Sequence, residues 1–266
     1  MDLRLSGRRA LITGSTSGLG EATARLLATE GAEVVIHGRS PQRAQAVADA
    51  IIEDGGKATV ATGDLGTDAG ADQAAGQALA GGAVDILVNN AGAYEHLGWA
   101  DATAEVWLHA YNVNVVSGVR MIQRLVPAMR ERDYGRIITI GGGLGTQPFA
   151  GHPHYNATLA ARHNLAVSLA RDLAGTRVTS NIVAPGAILV PAVQDFLTTL
   201  APERGWGETW EEIEHNSVRE LVPNDRARYG RPEEIAGAVA YLCGPHAEYL
   251  SGATIRVDGG TVRSAF

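Results

Sequence analysis

Short apolar runs rich in β-branched residues recur along the chain, and stretches with helical spacing separate most of them. Seven such runs cover residues 10–13, 33–37, 58–62, 84–89, 136–140, 177–183 and 254–257. Strands that alternate with helices indicate a parallel sheet with helices on both faces, which binds its ligands at the carboxyl ends of the strands. The pattern therefore predicts an α/β fold with a doubly wound, seven-stranded parallel sheet.

The first predicted strand leads into a glycine-bearing turn and then into an amphipathic helix. The turn carries Gly14, Gly18 and Gly20. Glycines bring the backbone close to a pyrophosphate, and the start of the following helix offers unpaired N–H groups and the positive end of the helix dipole. Strand, loop and helix in this order predict a dinucleotide site. Three glycines alone are a weak signal, because loops use glycine wherever φ must be positive.

Length and composition favour one domain that acts on a small molecule. A chain of 266 residues with 45% hydrophobic content can bury one large core, so we expect a single domain over 1–266. The net charge of −7 argues against a nucleic-acid or anionic-membrane partner. The lone Cys243 supports neither a disulfide framework nor a cysteine metal site, and we expect a small buried side chain there. No metal site is predicted.

Targeting signals are not recognisable in the sequence. No apolar run has the length of a signal-peptide core or approaches that of a membrane span. We therefore expect a cytoplasmic location.

Other predicted strands also end in short motifs of polar or small residues. The second, third, fourth and sixth strands are followed by Gly38-Arg39, Asp64-Leu65, Asn89-Asn90-Ala91-Gly92 and Pro185-Gly186-Ala187-Ile188. Together with the spacing T-G-x-x-x-G-x-G in the first loop, these motifs resemble the short-chain dehydrogenase/reductase family over essentially the whole chain, in particular its bacterial 3-oxoacyl-carrier-protein-reductase-like members. The resemblance implies a Rossmann-like fold and a nicotinamide dinucleotide cofactor.

The second-strand motif bears on which nicotinamide cofactor is used. NAD-preferring members of the family usually carry an acidic residue where Gly38 stands, and here Arg39 follows. A guanidinium suits a 2′-phosphate, so we expect NADP(H) rather than NAD, although a solvated loop arginine explains Arg39 equally simply. The residues that the resemblance assigns to cofactor binding are Gly14, Ser15, Thr16, Ser17, Gly18, Leu19, Gly20, Arg39, Asp64, Leu65, Asn90, Ala91, Gly92, Tyr155, Pro185, Gly186 and Ile188.

The catalytic motif of the family is present only in part. The resemblance makes Tyr155 the catalytic tyrosine and Asn114 the asparagine that bends a long helix, expected over about 103–132, and holds a water for proton relay. A mid-helix asparagine is equally explained as a satisfied core polar group. The family places a serine thirteen residues before the tyrosine and a lysine four residues after it, and these positions are Gly142 and Leu159. Its usual threonine after the sixth strand is Val190.

Both catalytic departures matter for carbonyl reduction. An ammonium beside the phenol lowers its pKa from about 10 toward neutrality, and a hydroxyl that polarises the substrate oxygen contributes on the order of 2.7–4 kcal/mol. His152 and His154 are candidate substitutes because they flank the tyrosine and titrate near neutral pH. Thr146 and Arg162 are weaker candidates, and each of the four is also explained as an ordinary loop or interface residue.

Three functions are compatible with this pattern. The first is an NADP(H)-dependent oxidoreductase that transfers hydride to an activated carbonyl, imine or conjugated substrate, with Tyr155 as proton donor. The second is a non-redox enzyme, such as a cyclase, isomerase or lyase, in the same pocket. The third is a catalytically inactive ligand-binding protein. The sequence does not name the substrate.

Two later segments complete the prediction. Residues from about 189 to 228 form an acidic insertion with helical pieces, consistent with a substrate lid in which Trp206 and Trp210 are pocket walls or, preferably, lid core. The closing helix and last strand resemble those that pack between subunits in the family, so we expect a homo-oligomer, either a dimer or a homotetramer.

Overall fold

The computed structural model describes residues 2–265 and contains one seven-stranded parallel sheet with the strand order β3-β2-β1-β4-β5-β6-β7. The strands are β1 Arg9–Ile12, β2 Glu33–Gly38, β3 Lys57–Thr62, β4 Ile86–Asn89, β5 Gly135–Ile140, β6 Val178–Pro185 and β7 Thr254–Val257. The predicted doubly wound sheet is confirmed. The order reverses between β1 and β4, which opens a crevice at the carboxyl ends of these two strands.

Nine α-helices connect the strands within the described residues. They are α1 Gly18–Thr29, α2 Pro41–Glu53, α3 Asp68–Ala80, α4 Ala104–Tyr111, α5 Ser117–Glu131, α6 Pro153–Asp172, α7 Pro191–Arg204, α8 Trp210–Leu221 and α9 Pro232–Cys243. The long helix predicted over about 103–132 is present as an unbroken helical run from Ala104 to Glu131, in which a π-helical turn at Asn112–Val116 joins α4 to α5. The extra residue in that turn displaces the helix where Asn114 lies.

Alternation along each strand divides the core into two layers. In β1, Ala10 and Ile12 pack with α1, α2 and α9, whereas Leu11 packs on the opposite face with α3 and α5. Cys243 is buried in the first of these layers, as predicted, and burial raises the pKa of its thiol to about 12.

Helices α7 and α8 have a small core of their own. Trp206 is buried there, and its Nε1–H donates to Glu220 Oε2 over 2.7 Å. Trp210 packs against the same cluster, together with Leu197, Ile213 and Tyr229. Both tryptophans therefore belong to the core of this segment, which is the preferred of the two predicted roles.

The amino ends of the strands are closed by two buried arginines. Arg9 pairs with Glu33, and Arg136 pairs with Glu248 over 3.3 Å. Lys57, which is exposed, begins the edge strand β3 at this same end of the sheet. None of the helices in residues 2–265 combines the length and the apolar character that a membrane crossing requires.

Candidate active site

The glycine-bearing loop after β1 is held in shape by the loop after β4. The side-chain amide of Asn90 donates to the carbonyls of Thr13 (2.9 Å) and Gly14 (3.1 Å). Gly14 and Gly18 adopt φ of +65° and +59°, which favours glycine. A Cβ on Gly20 would lie 2.5 Å from the Gly14 carbonyl and 2.6 Å from the Asn90 amide, so this close packing excludes any side chain at position 20.

His37 completes the support of this loop, and sequence reasoning missed it. Its ring Nδ1 accepts a hydrogen bond from the backbone N–H of Gly14 over 3.1 Å. The backbone N–H of His37 donates to Ser15 Oγ over 2.9 Å. Burial lowers the pKa of His37 to about 4, so the ring is neutral and Nδ1 is free to accept. The available signal was a single polar residue inside an otherwise β-branched strand.

The start of helix α1 is suited to an anionic ligand. Ser17 is the N-cap residue of the helix, but its side chain accepts no hydrogen bond from the first turn. The first backbone N–H groups are therefore available to a ligand. Thr16 and Leu19 flank the positive-φ Gly18 in the same loop. These groups form a backbone cradle that fits a pyrophosphate.

The end of β2 is too crowded for an acidic side chain at position 38. A Cβ on Gly38 would collide with Thr16 Cγ2. The exposed guanidinium of Arg39 forms no hydrogen bond or ion pair with any residue between 2 and 265. Next along the edge, Asp64 is exposed and Leu65 is buried, and Asp64 Oδ1 accepts the Gly66 N–H over 2.9 Å.

The loop after β6 reaches the same edge of the sheet. Pro185 ends β6, and the Gly186 N–H donates to the Val257 carbonyl over 3.1 Å. A parallel β-bridge joins this loop to Gly230, whose N–H donates to the Ala187 carbonyl and whose carbonyl accepts the Leu189 N–H. In such a bridge the N–H and C=O of Ile188 itself point away from Gly230. Val190 Cγ1 lies 3.4 Å from where a Cβ on Gly18 would be, so this loop closes over the glycine-bearing loop. The residues of this edge thus fit a dinucleotide, with no side-chain hydrogen bond from Val190.

Tyr155 lies in the first turn of helix α6 and contacts the loop after β4. Its ring packs edge-to-face on Tyr94, with the ring centroids 4.9 Å apart. Asn114 ties the two segments together: its amide nitrogen donates to the Ala93 carbonyl (3.0 Å) and to Thr158 Oγ1 (3.1 Å), and its Oδ1 accepts the Ala93 N–H (2.7 Å). Both amide protons are used, so Asn114 acts on this geometry as the anchor of the Tyr155 turn.

Gly142 and Leu159 are in direct contact. A Cβ on Gly142 would lie 2.9 Å from Leu159 Cδ1. Leu159 is 2% exposed and fills the space beside the end of β5. The positions at which the resemblance expects a hydroxyl and an ammonium therefore form one apolar contact.

Arg162 lies one helical turn beyond Leu159, and its guanidinium reaches the centre of the site. It donates to the carbonyl of Ile140 over 2.7 Å and to the carbonyls of Asn114 and Ala91. Burial lowers the pKa of Arg162 to about 10, while the neighbouring Tyr155 acts in the opposite direction. Burial raises the pKa of Tyr155, and Arg162 opposes that rise.

Tyr155 belongs, through its contact with Tyr94, to a connected set of rings from several segments, which we call the aromatic cluster. Within the cluster, Tyr94 Oη and His152 Nε2 are hydrogen-bonded at 3.0 Å. Burial and the neighbouring His96 lower the pKa of His152, so its ring is neutral at pH 7. The members are Tyr94, His96, Phe149, His152, Tyr155 and Phe196.

His154 lies outside this cluster, and its proton-relay role stays a prediction. It is 2% exposed, and its ring faces Trp107 of helix α4 at a centroid distance of 6.4 Å. Neither ring nitrogen has a hydrogen-bond partner among the described residues. The helix turns the side chain of residue 154 away from that of its neighbour Tyr155, because successive residues point about 100° apart. Thr146 is also occupied elsewhere, since its hydroxyl donates to the Gly143 carbonyl over 3.1 Å.

Comparison with known proteins assigns the family. The sequence model described as short chain dehydrogenase matches residues 8–200. The chain belongs to this family. Family members are oxidoreductases, and this short-chain dehydrogenase is 39% identical to the uncharacterized oxidoreductase YvaG of Bacillus subtilis, over 100% of both chains.

Two solved structures are similar to this short-chain dehydrogenase over nearly all of its length. L-Sorbose reductase from Gluconobacter frateurii, complexed with NADPH and L-sorbose, has a TM-score of 0.92 at 33% identity and covers 99% of this chain and 100% of its own. A 3-oxoacyl-carrier-protein reductase from Agrobacterium tumefaciens, with NADP bound, has a TM-score of 0.88 at 37% identity, with 97% and 96% covered.

Proposed function

We propose that this short-chain dehydrogenase is an NADP(H)-dependent oxidoreductase that transfers hydride to an activated carbonyl, imine or conjugated substrate. One observation carries the proposal: Asn114 joins the turn of Tyr155 to the loop after β4, so the phenol lies at the sheet edge where the glycine-bearing loop forms its cradle. Tyr155 is the proposed proton donor. The aromatic cluster around it offers ring faces to a planar substrate.

The cofactor preference rests on the end of β2. The collision of any Gly38 side chain with Thr16 disfavours an acidic residue, and Arg39 offers an unpaired guanidinium to a 2′-phosphate. The NADPH and NADP in the similar sorbose and 3-oxoacyl reductases support the same choice. We propose that the remaining cofactor contacts come from Asp64 and Asn90, and from the backbone of Ile188.

The choice of an activated substrate rests on the contact between Gly142 and Leu159. These residues give no hydroxyl or ammonium to polarise a carbonyl oxygen. A simple ketone needs that help, whereas an iminium or conjugated acceptor is already electrophilic. When bound, NADPH supplies the hydride. With a carbonyl, a neutral imine or a conjugated acceptor, Tyr155 gives its phenolic proton to the substrate atom that gains the electron pair, and solvent restores that proton. An iminium becomes a neutral amine on hydride addition and needs no proton.

A lid over the substrate is part of the proposal. Phe196 of helix α7 stacks on His96 of the aromatic cluster, with the ring centroids 5.3 Å apart. Because α7 and α8 have their own core, they move as a unit more readily than as separate helices. We propose that residues 189–228 cover the substrate and select it.

A homo-oligomer is proposed as well. Trp99 and Leu108, which lie before and within helix α4, are both largely exposed. Apolar side chains of this size on one surface are typical of a contact between subunits. Light scattering of the purified protein is expected to give at least the mass of a dimer, and a monomeric mass at micromolar concentration would contradict it.

A non-redox reaction in the same pocket is the second candidate. The apolar contact of Gly142 with Leu159 and the loss of a cofactor hydrogen bond at Val190 favour it. Product formed at full rate without nicotinamide would support this alternative.

The test of the first proposal has two stages. Fluorescence titration is expected to show micromolar binding of NADPH and much weaker binding of NADH. Mixing the NADPH complex with imines and conjugated carbonyls should then oxidise the cofactor, and Tyr155→Phe should abolish turnover while NADPH binding persists. Failure of both cofactors to bind would overturn the proposal.

A further inference from the structure

Arg162 is a buried cation without an anionic partner. It is 7% exposed, and no carboxylate of the described residues pairs with it. Its hydrogen bonds go to three backbone carbonyls, those of Ala91, Asn114 and Ile140. The other two buried arginines, Arg9 and Arg136, both have a glutamate partner.

An unpaired buried charge needs a reason. Removing a cation from water costs several kcal/mol, and carbonyl dipoles return only part of that cost. Arg162 nevertheless stays charged at pH 7, because its pKa falls only to about 10. A fixed positive charge in a dry site is most useful beside an anion that forms only during the reaction.

The group that can become this anion is Tyr155. It lies seven residues before Arg162 on helix α6, and residues seven apart share one face of a helix. The ionisable side chains on the neighbouring segments are Tyr94 and His96 after β4, His152 and His154 at the start of α6, and His163, whose Nε2 accepts the Gly142 N–H over 3.4 Å. Burial lowers the pKa of His152 and His163, so neither is charged at pH 7. His96 contacts Tyr94, His152 and Phe196, and His154 faces Trp107. Arg162 is therefore the buried cation on the helix face of Tyr155.

We propose that Arg162 stabilises the tyrosinate that Tyr155 becomes when it gives its proton to the substrate. The inference rests on the proposed function for the identity of the proton acceptor. Arg162 acts through Tyr155 and is thus a positioning residue. No electrons are exchanged with Arg162: the phenolic O–H bond breaks, the proton goes to the substrate, and the negative charge stays on the phenolate oxygen until a solvent proton returns.

The placement also explains how Leu159 is tolerated. Leu159 and Arg162 are three residues apart and so lie on neighbouring positions of one helix face. The Arg162 guanidinium is held by the carbonyls of Ala91 and Asn114, so the space between Leu159 and Gly142 stays apolar.

Carbon-13 NMR of protein labelled at the tyrosine Cζ tests the inference without any turnover. The resonance of Tyr155 is assigned with Tyr155→Phe, and its ionisation is followed by pH titration. Arg162→Gln keeps an amide that can donate to the carbonyls but removes the charge. We expect this change to raise the ionisation midpoint of Tyr155 by at least about one pH unit, which is tenfold in acidity. An unchanged midpoint would overturn the inference.

Two further variants separate charge from packing. Arg162→Lys keeps a cation and should hold the midpoint within about half a pH unit of the parent protein, so a raised midpoint in this variant would contradict the inference even if Arg162→Gln does not fold. A midpoint raised as far in Arg162→Lys as in Arg162→Gln would mean that the carbonyl contacts matter and the charge does not. The double variant Leu159→Lys with Arg162→Gln moves the cation by one turn and should restore the low midpoint.

A matched control removes a different buried guanidinium. Arg136 lies at the opposite end of β5, so Arg136→Gln should lower thermal stability and leave the Tyr155 midpoint unchanged. The same samples separate this inference from the proposed function. A raised midpoint in Arg162→Gln without NADPH oxidation by the parent protein supports Arg162 and rejects the redox reaction. NADPH oxidation by the parent protein, together with an unchanged Tyr155 midpoint in Arg162→Gln, supports the redox reaction and rejects the inference about Arg162.

Discussion

Gly142 and Leu159 act as one packing unit. The backbone of Gly142 is extended, with φ of 175°, so any residue type can adopt it. What opposes a side chain there is Leu159 Cδ1, which would lie 2.9 Å from a new Cβ. A serine at position 142 therefore requires the Leu159 side chain to shift.

The free energy of unfolding should show this coupling. Gly142→Ser is expected to cost about 1–3 kcal/mol in the parent protein, because the core is overpacked. In a Leu159→Ala background, where the methyl groups are gone, the same change should cost less than about 0.5 kcal/mol. Urea unfolding of the four proteins in the cycle measures both values, and purely additive costs would contradict the contact.

Arg39 should discriminate between the two nicotinamide cofactors. Arg39→Ser removes a charge-assisted contact worth about 1.5–3 kcal/mol, so we expect NADPH affinity to fall at least tenfold while NADH affinity stays unchanged. Titration by cofactor fluorescence measures both. Arg219→Ser, an exposed arginine of helix α8, is the control and should change neither. An equal loss for both cofactors would place Arg39 away from the 2′-phosphate.

At the scale of elements, ring contacts connect helix α7 to Tyr155. Phe196 of α7 stacks on His96, and Tyr94 contacts both His96 and Tyr155. These contacts join the proposed lid to the proposed proton donor.

Removal of the ring at Phe196 should therefore affect substrate more than cofactor. Phe196 is 46% exposed, so Phe196→Ala leaves the fold intact. A stacked ring pair contributes about 0.5–1.5 kcal/mol, and the KM for substrate should rise about two- to tenfold with NADPH binding unchanged. Phe196→Tyr keeps the ring and should restore the parent KM. A parallel loss of cofactor affinity would mean that α7 supports the dinucleotide instead.

The elements were largely predictable and the catalytic contacts were not. The composition of runs such as 33–37 and 136–140 predicts strands, and a glycine-bearing loop between a strand and a helix predicts a phosphate-binding backbone. The Arg162 guanidinium meets carbonyls from residues 91, 114 and 140, and no local pattern brings those segments together. The burial of His154 against Trp107 could not be predicted for the same reason, since Trp107 is distant in sequence.

At the scale of the whole molecule, the two ends of the sheet differ in chemistry. The carboxyl ends of the strands carry the proposed site, including the neutral His37 under the glycine-bearing loop. The amino ends carry paired arginines, with Arg136 and Arg8 both against the ring of Tyr134, 4.7 and 3.6 Å from its centroid. Lowering the pH should therefore destabilise the carboxyl end of the sheet first, because His37 is neutral in the folded protein.

His37 should make the protein lose stability between pH 6.5 and about 4. The pKa of His37 is about 4 in the folded protein and about 6.5 in the unfolded chain. Between these two values His37 is protonated in the unfolded chain and neutral in the folded protein, so lowering the pH favours unfolding. The loss at the acid end is about 3 kcal/mol, and above pH 6.5 it vanishes. Denaturant unfolding across this range measures it.

Two variants check the assignment to His37. His37→Gln should flatten much of the decline, and the lowered pKa values of His152 and His163 account for a remainder. His109→Gln, at an exposed histidine of helix α4, should leave the decline as it is. A decline that persists in full in His37→Gln would contradict the buried neutral histidine.

The start of β3 has a practical consequence. Lys57 is the single lysine of the sequence, and it lies at the amino end of an edge strand of six residues, about 20 Å from the carboxyl edge. Amine-reactive dyes or coupling resins thus modify one lysine side chain, and they do so at the end of the molecule that faces away from the cofactor loops. Attachment through Lys57 would orient every copy alike on a sensor surface, with the crevice turned toward the solution.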